Sequence, residues 1–186
     1  MRTEKLDEYR RKRHFEKTPE PTHEAPAVSS KKALRFCVQK HDATRLHYDF
    51  RLEADGVLKS WAVPKGPSLD PKEKRLAMQT EDHPLAYGSF EGVIPEGEYG
   101  GGPVLLWDEG TWAPVDLPRD TSAAEAIDGG KIDFVLHGNK LHGRFHLVRL
   151  RANEKTNKKN NAWLLIKGRD ECAVEGAGVA AMGEAS

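Results

Sequence analysis

The chain has 186 residues, enough for one domain with a hydrophobic core but too few for two domains of ordinary size. It carries 29 basic and 29 acidic side chains, and this balance argues against a protein that holds a long duplex by charge alone. Two cysteines give no support to a disulfide framework or a cysteine-based zinc site, and no apolar run approaches the roughly 20 residues that cross a bilayer. We therefore expect a cytoplasmic protein with one small, focused site and no membrane contact.

The start of the chain predicts a short helix and then a flexible arm, together residues 1–33. Spacings of three and four along Leu6, Tyr9 and Arg13 place these side chains on one face of a helix over residues 6–17. A proline-rich joint ends that helix. The sequence that follows is polar and rich in Pro, Ser and Thr, which is typical of a flexible linker.

Short runs of alternating polarity, separated by Gly, Pro or Asn, dominate residues 34–170. Eight such runs predict a mainly β fold: a compact single-domain β barrel with short flanking helices and flexible termini. The Gly138-Asn139 pair predicts a hairpin, and residues 121–127 predict one or two helical turns. The small, Gly-rich residues 171–186 predict a disordered tail.

One predicted strand carries a row of polar side chains. Its period of two sends His47, Asp49 and Arg51 to one face and the intervening apolar residues to the other. His41 ends the preceding strand and can supply a further ligand, and two imidazoles with one carboxylate suit zinc, manganese, cobalt or iron. Arg51 beside such a metal can bind a phosphate through its planar fork of donors. A bare His-x-Asp-x-Arg pattern is, however, more often an exposed strand face with solvated side chains.

Two loops add candidate site residues. His83 precedes a proline at a strand end and Lys65 lies in a rigid turn, and both are typical positions for functional loops. A capped turn for His83 and a solvated loop tip for Lys65 are the competing interpretations. The Gly-rich residues 94–102 lack the ending and spacing of a nucleotide-binding loop, so we expect a tight loop that enters the next strand. We interpret three further histidines as solvated strand positions: His137, His142 and His146.

Four segments, in order along residues 34–167, resemble the 3′-phosphoesterase domain of ATP-dependent DNA ligase D: QKHDATRLHYDFRLE, LKSWAVPKGPSLDPKEKRLAMQTEDHP, FEGVIPEGEYGGG and WLLIK. Their length makes the resemblance far more specific than the His and Asp pattern. The resemblance implies a mainly β barrel and a Mn²⁺-dependent hydrolase, with Co²⁺ or Zn²⁺ as alternatives. The implied substrate is the 3′ end of a DNA primer-template that carries a 3′-ribonucleotide or a 3′-phosphate, in break repair by non-homologous end joining.

The resemblance also implies roles for individual residues. The metal ligands that it implies are His41, His47 and Asp49. The further catalytic residues, at the scissile phosphate, are Arg51, His83 and Tyr87. The supporting substrate-binding residues are Arg13, Glu20, Lys65 and Arg75. One position departs from the family pattern, because His14 stands where an acidic residue is expected.

Two alternatives to this function stay open at the level of sequence. A non-catalytic DNA-end-binding or partner-docking module of a repair complex would share the fold, and a hydrolase of small phosphate esters would share the side chains. The intact ligand set favours an enzyme. The resemblance makes DNA ligase, polymerase and Ku candidate partners. We expect a monomer in the prokaryotic cytoplasm, associated with the nucleoid, and the initial methionine favours a stand-alone member of the family.

Overall fold

The computed structural model describes residues 4–22, 33–151 and 160–183. Nine strands form one antiparallel sheet: β1 Leu34–Asp42, β2 Leu46–Ala54, β3 Val57–Val63, β4 Arg75–His83, β5 Gly92–Ile94, β6 Gly102–Val115, β7 Lys131–Gly138, β8 His142–Arg149 and β9 Ala162–Lys167. Their order is β1-β2-β3-β4-β9-β8-β7-β6-β5, and a further pairing of β6 with β1 closes eight of them into a barrel. The predicted mainly β barrel is confirmed.

The helices are short and lie outside the barrel wall. They are α1 Asp7–Arg11, α2 Ala123–Asp128 and α3 Val179–Met182, with 3₁₀ turns at Glu4–Leu6 and Leu85–Ser89. Ser122 begins α2 by accepting a hydrogen bond from the backbone amide of Glu125, as an N-cap serine does. Among the described residues, no helix is long and apolar enough to cross a membrane.

The barrel interior is filled by every second residue of the strands. Along β2 the side chains of Tyr48, Phe50 and Leu52 point inward and are almost completely buried. Trp61 and Trp163 meet in the same core, edge to face with ring centroids 5.5 Å apart. All four tryptophans are buried in this core.

A second apolar cluster lies on the outer face of the barrel wall. Its buried members are Tyr9, Leu58, Tyr87, Phe90, Ile94 and Val104. They come from the N-terminal segment, from the wall itself and from the segment after β4, so these segments cover one patch of the wall. The site residues lie on this covered patch rather than inside the barrel.

A β-bulge in β4 turns His83 toward the covered patch. Ser60 pairs with Thr80 whereas Leu58 pairs with His83, so β4 uses one more residue than β3 over this stretch. An extra residue reverses the alternation beyond it, and His83 therefore shares the outer face with Ser60 and Arg51.

The N-terminal arm differs from its prediction. The helix ends at Arg11 instead of residue 17, yet Arg13 and Glu20 beyond it are buried against the barrel. The arm folds because the guanidinium of Arg13 donates to the carbonyl of Tyr9 at 3.0 Å and to the carboxylate of Glu20 at 2.7 Å. Buried charge pairs of this kind hold a segment without regular structure. The linker predicted after the proline-rich joint falls almost entirely on residues 23–32, which lie outside the described residues.

The C-terminal segment also differs from the predicted disordered tail. Ala177, Val179 and Met182 pack against the barrel core, and the carbonyl of Gly183 accepts a hydrogen bond from the indole of Trp107 at 2.9 Å. These few apolar side chains cover the core residues at one end of the barrel, which is why a Gly-rich segment is ordered here. Residues 184–186 lie outside the described residues.

Candidate active site

The predicted metal ligands meet at the hairpin between β1 and β2. His41 and His47 are direct cross-strand partners in this hairpin, and Asp49 follows His47 two residues later on the same outer face. The Nδ1 of His41 lies 3.4 Å from one oxygen of Asp49, and the Nε2 of His47 lies 3.3 Å from the other. One ligand atom from each residue can be chosen so that all three lie within 4.8 Å of one another. This spacing is compatible with one divalent cation.

Backbone carbonyls fix the orientation of both imidazoles. The Nε2 of His41 donates to the carbonyl of Gly100 at 2.6 Å, and the Nδ1 of His47 donates to the carbonyl of Arg45 at 3.0 Å. Because a carbonyl only accepts, these nitrogens carry the ring protons when the imidazoles are neutral, and the other two nitrogens then present lone pairs toward Asp49. In that state two lone pairs and a carboxylate converge, and a metal cation fits such a donor set. When those nitrogens are protonated instead, they donate hydrogen bonds to Asp49.

The electrostatics of the cluster favour an ionised carboxylate. Burial alone would raise the pKa of Asp49, but Arg51 and hydrogen bonds from His41 and His47 hold it well below its ordinary value. For His47, burial lowers the pKa, and the hydrogen bond and charge of Asp49 outweigh it and raise the pKa. The site therefore attracts positive charge, as a metal site must.

Arg51 is held rigidly beside this cluster. It is 2% exposed, its Nε donates to Gln39 at 2.7 Å, and its Nη2 lies 3.6 Å from Asp49. The guanidinium carbon lies 4.8 Å from the ring centroid of Tyr87. The remaining nitrogen, Nη1, is buried and has no hydrogen-bond partner among the described residues. A buried donor of a cation without a partner is costly, and it marks a place for an anionic ligand.

Gln39 was not predicted as a site residue, and it positions Arg51. Its amide nitrogen donates to the carbonyls of Tyr87 and Phe90 at 2.8 and 3.0 Å, which ties the segment after β4 to the wall and directs its oxygen at Arg51. The sequence carried a signal for it, because Gln39 lies two residues before His41 on the same strand face.

His83 and Tyr87 face the N-terminal arm. The Nε2 of His83 lies 3.2 Å from Nη2 of Arg13, and its Nδ1 donates to the carbonyl of Glu81 at 2.8 Å. Burial, followed by the charges of Arg51 and Arg13, lowers the pKa of His83 well below its ordinary value, so the imidazole is neutral in the free protein. Tyr87 donates to Glu20 at 2.9 Å, and burial raises the pKa of its phenol, which stays protonated.

Glu81 completes this network and was also missed from sequence. Its carboxylate is buried and pairs with Arg13 at 3.2 Å and with Lys12 at 3.1 Å. Glu81 lies within the irregular stretch of β4 between Thr80 and His83, and Glu81 and His83 both contact Arg13 of the arm. No sequence pattern gave the position of the bulge in β4.

The Gly-rich loop between β5 and β6 contacts the group formed by His41, His47 and Asp49, which we call the metal cluster because it could hold a metal ion. Turn hydrogen bonds from Glu98 to Pro95 and from Gly101 to Glu98, at 3.2 and 3.1 Å, give it the tight shape that was predicted. Its link to the metal cluster was not predicted: the carbonyl of Gly100 accepts from His41, and Glu98 accepts from His14 at 3.1 Å. The unexpected His14 thus contacts this loop.

The two remaining predicted residues are not brought into the cluster. Lys65 is exposed in the turn after β3. Val63, the last residue of β3, pairs with Tyr48, which is next to His47 in the chain. Arg75 begins β4, at the opposite end of that strand from His83, and pairs with Glu73. Two residues before the core position Ala77, it faces the barrel interior side, away from the covered patch. The structure does not bring Arg75 to the other site residues, and its supporting role at the phosphate stays a prediction.

A family model described as the DNA Ligase D 3′-phosphoesterase domain matches residues 39–149, more than half of the chain. The chain belongs to this family. The family predicted from the four sequence segments is thus confirmed. The matched region contains the metal cluster, Arg51 and His83.

Three relatives place the family among bacterial repair proteins. The multifunctional non-homologous end joining protein LigD of Pseudomonas aeruginosa is 56% identical over 165 residues, which is 89% of this chain and 19% of that protein. The multifunctional non-homologous end joining DNA repair protein LigD of Mycobacterium tuberculosis is 47% identical over 146 residues, 78% and 18% of the two chains. The LigD protein of Mycolicibacterium smegmatis is 41% identical over 177 residues, 90% and 21% of the two chains. The chain thus spans about a fifth of the length of these curated relatives.

We expect each of His41→Ala, His47→Ala and Asp49→Ala to weaken Mn²⁺ binding by about 100-fold or more, since removing a ligand costs at least as much as removing its outer partner. Titration of free Mn²⁺ by electron paramagnetic resonance measures this directly, without any substrate. The exposed His137→Ala is the control and should bind as the unaltered protein does. Unchanged Mn²⁺ affinity in all three variants would show that the metal binds at another place in the protein.

The Gly-rich loop offers a matched pair of substitutions. Gly97 and Gly100 both have positive φ, at +87° and +74°, so alanine strains the backbone at either position. A Cβ at Gly97 meets nothing within 4 Å, whereas one at Gly100 lies 3.3 Å from Cε1 of His41. We expect Gly100→Ala to weaken Mn²⁺ affinity about 10-fold or more and Gly97→Ala to change it much less. Equal effects would show that the loop does not position His41.

Proposed function

We propose that this protein is a Mn²⁺-dependent phosphoesterase that processes the 3′ ends of DNA strands. It removes a terminal ribonucleoside to leave a 3′-phosphate and then hydrolyses that phosphate to a 3′-hydroxyl, in the cytoplasm, during break repair by non-homologous end joining. DNA ligase, polymerase and Ku are the proteins with which such an activity would cooperate. The family assignment supports this reaction class, and the names of the relatives support the repair context.

The observation that carries the proposal is the buried Nη1 of Arg51, which has no hydrogen-bond partner among the described residues. The guanidinium is fixed by Gln39 and rests on Tyr87, so its free donor cannot turn away to another acceptor. It stands beside Asp49, a member of the cluster that can hold a cation. A phosphoryl oxygen bound between the cation and Arg51 would satisfy both positive groups.

His41, His47 and Asp49 would hold the metal ion, and Co²⁺ or Zn²⁺ suits the same donors as Mn²⁺. The chemistry that a bound divalent ion supplies here is neutralisation of phosphoryl charge and a lowered pKa of coordinated water. Arg51 neutralises a second phosphoryl oxygen and fixes the orientation of the phosphate. The aromatic ring of Tyr87 contacts the guanidinium of Arg51 in a cation–π arrangement.

His83 is neutral in the free protein, so it has no proton to donate from Nε2 before the substrate binds. A bound phosphate would bring negative charge beside the imidazole and would favour its protonation, because the present depression of its pKa comes partly from Arg51 and Arg13. His83 could then bind the phosphate or donate a proton to the leaving oxygen. This step links His83 to phosphate binding rather than to the metal.

The arm supports a role for Arg13 and Glu20 in substrate placement. Arg13 reaches His83, and Glu20 receives hydrogen bonds from both Arg13 and Tyr87, so the arm encloses the phosphate side of the site. Removing a whole nucleoside requires more positioning than removing a bare phosphate. We assign the arm chiefly to the nucleoside step, with Lys65 left as an exposed contact for the DNA beyond it.

The test is incubation with an end-labelled DNA primer-template that carries either a 3′-ribonucleotide or a 3′-phosphate, with and without Mn²⁺. We expect both ends to be converted to a 3′-hydroxyl only with the metal, and chelation to stop the reaction. Binding of either end without hydrolysis would support a non-catalytic end-binding module instead. Faster turnover of p-nitrophenyl phosphate than of either DNA end would support a hydrolase of small phosphate esters.

Arg51→Lys tests the phosphate role of the guanidinium. An ammonium on a flexible chain cannot reproduce the planar fork that donates to Gln39 through Nε and presents Nη1 to a phosphate, so we expect turnover at saturating Mn²⁺ to fall about 10- to 100-fold. Arg35→Lys, on an exposed position of β1, is the matched control and should leave turnover unchanged. Recovery of Arg51→Lys by additional metal would contradict a role on the phosphate.

A further inference from the structure

We infer that Tyr99 is a stacking platform for the nucleobase of the 3′-terminal nucleoside, and this inference rests on the proposed function. Tyr99 is 48% exposed, and it is the only aromatic residue among the large exposed apolar side chains of the described residues. A singly exposed aromatic side chain needs no explanation by itself, so the inference depends on the contacts that hold Tyr99 beside the site.

The position of Tyr99 is fixed from the metal side. The next residue, Gly100, accepts the 2.6 Å hydrogen bond from His41, and the turn bond from Gly101 to Glu98 spans Tyr99 itself. The backbone of Tyr99 is therefore held next to the residue that contacts His41, and it cannot move without breaking that hydrogen bond.

The position of Tyr99 is also fixed from the arm side. The ammonium of Lys12 lies 3.4 Å from the phenol oxygen and 4.8 Å from the ring centroid, and the guanidinium carbon of Arg13 lies 5.5 Å from that centroid. Lys12 in turn pairs with Glu81, and Arg13 reaches His83. Tyr99 thus lies between the loop residue that contacts His41 and the arm residues that contact Glu81 and His83.

The contacts from the loop and from the arm leave Tyr99 able to stack on a flat aromatic group. The cations hold the ring in one orientation, and about half of the residue surface stays open. A nucleobase presents a flat π-face of similar size, and stacking on tyrosine tolerates every base. The proposal concerns the base rather than the ribose, because a ring offers dispersion contact over its whole face and only one hydroxyl.

The terminal nucleoside is favoured over a base further along the strand or on the template. With its phosphate at Arg51 and the metal cluster, the nucleoside to be released lies next to that phosphate, and we place it on the side that the arm encloses. Lys12, Arg13 and Tyr99 lie there together. A 3′-phosphate carries no such nucleoside, so the platform should affect one of the two reactions only.

The decisive experiment compares Tyr99→Leu with Tyr99→Phe on three matched primer-templates. The first ends in a ribonucleoside, the second in an abasic ribose and the third in a 3′-phosphate. Stacking on an aromatic residue is typically worth about 5- to 100-fold in binding, so we expect Tyr99→Leu to lower kcat/KM on the first primer by about that factor. The abasic and 3′-phosphate primers should be turned over as by the unaltered protein. Tyr99→Phe, which keeps the ring and loses the hydroxyl, should resemble the unaltered protein on all three.

A second readout does not depend on turnover. A primer ending in a 2-aminopurine riboside, bound with the metal removed by chelation, reports stacking by loss of fluorescence. We expect quenching with the unaltered protein and with Tyr99→Phe, and markedly less with Tyr99→Leu. Leu105→Ala replaces an exposed apolar residue on β6 and is the control, and this variant should quench the fluorescence as fully as the unaltered protein does.

The outcomes separate this inference from the function on which it rests. No hydrolysis of any primer by the unaltered protein would overturn the proposed function, and the fluorescence assay would still decide the platform. Equal losses of Tyr99→Leu on all three primers would show that Tyr99 only supports the site. Equal losses for Tyr99→Phe and Tyr99→Leu would assign the effect to the contact with Lys12. Either result overturns the inference.

Discussion

The alternation of side chains along β2 is the constraint on which the site depends. Phe50 fills the barrel core, so its neighbours Asp49 and Arg51 must point to the outer face of the wall. Both are nevertheless almost fully buried, at 7% and 2% exposure. Charges cannot be buried without partners, because desolvation of an unpaired ion costs several kcal/mol. The arm, the segment after β4 and the Gly-rich loop therefore form one cover over these charges.

The cover is charged as well as apolar, and its charges are nearly balanced. Asp49, Glu20 and Glu81 face the guanidinium groups of Arg13 and Arg51, with Lys12 at the rim. Because the imidazole of His83 is neutral, it adds no positive charge to these balanced pairs. A divalent cation would add positive charge, and a phosphate would neutralise it. Metal and phosphate binding should therefore support each other, which suits a site for phosphate esters.

Several features of the site could be predicted because they depend on residues close in sequence. His47, Asp49 and Arg51 follow from a period of two, and His41 follows from a hairpin with a three-residue connection. Features that depend on distant segments were missed. The bulge that turns His83 outward, the burial of Arg13 against Glu81, and the contact of Gly100 with His41 each join segments far apart in the chain. The supporting role of Arg75 stays a prediction, and the structure places this residue at the other end of the strand that carries His83.

The sequence by itself determined the barrel, its family and the shared strand face of His47 and Asp49, because alternation and long ordered segments are local properties of the chain. Only the tertiary structure decided that the site lies on the outside of the barrel wall, under an arm that reads as a flexible linker. It also decided which residues orient the ligands and Arg51, among them Gln39 and Gly100. The physical reason is that buried charges select their partners by distance in space, and a polar, proline-rich segment becomes ordered only when such partners are within hydrogen-bonding reach.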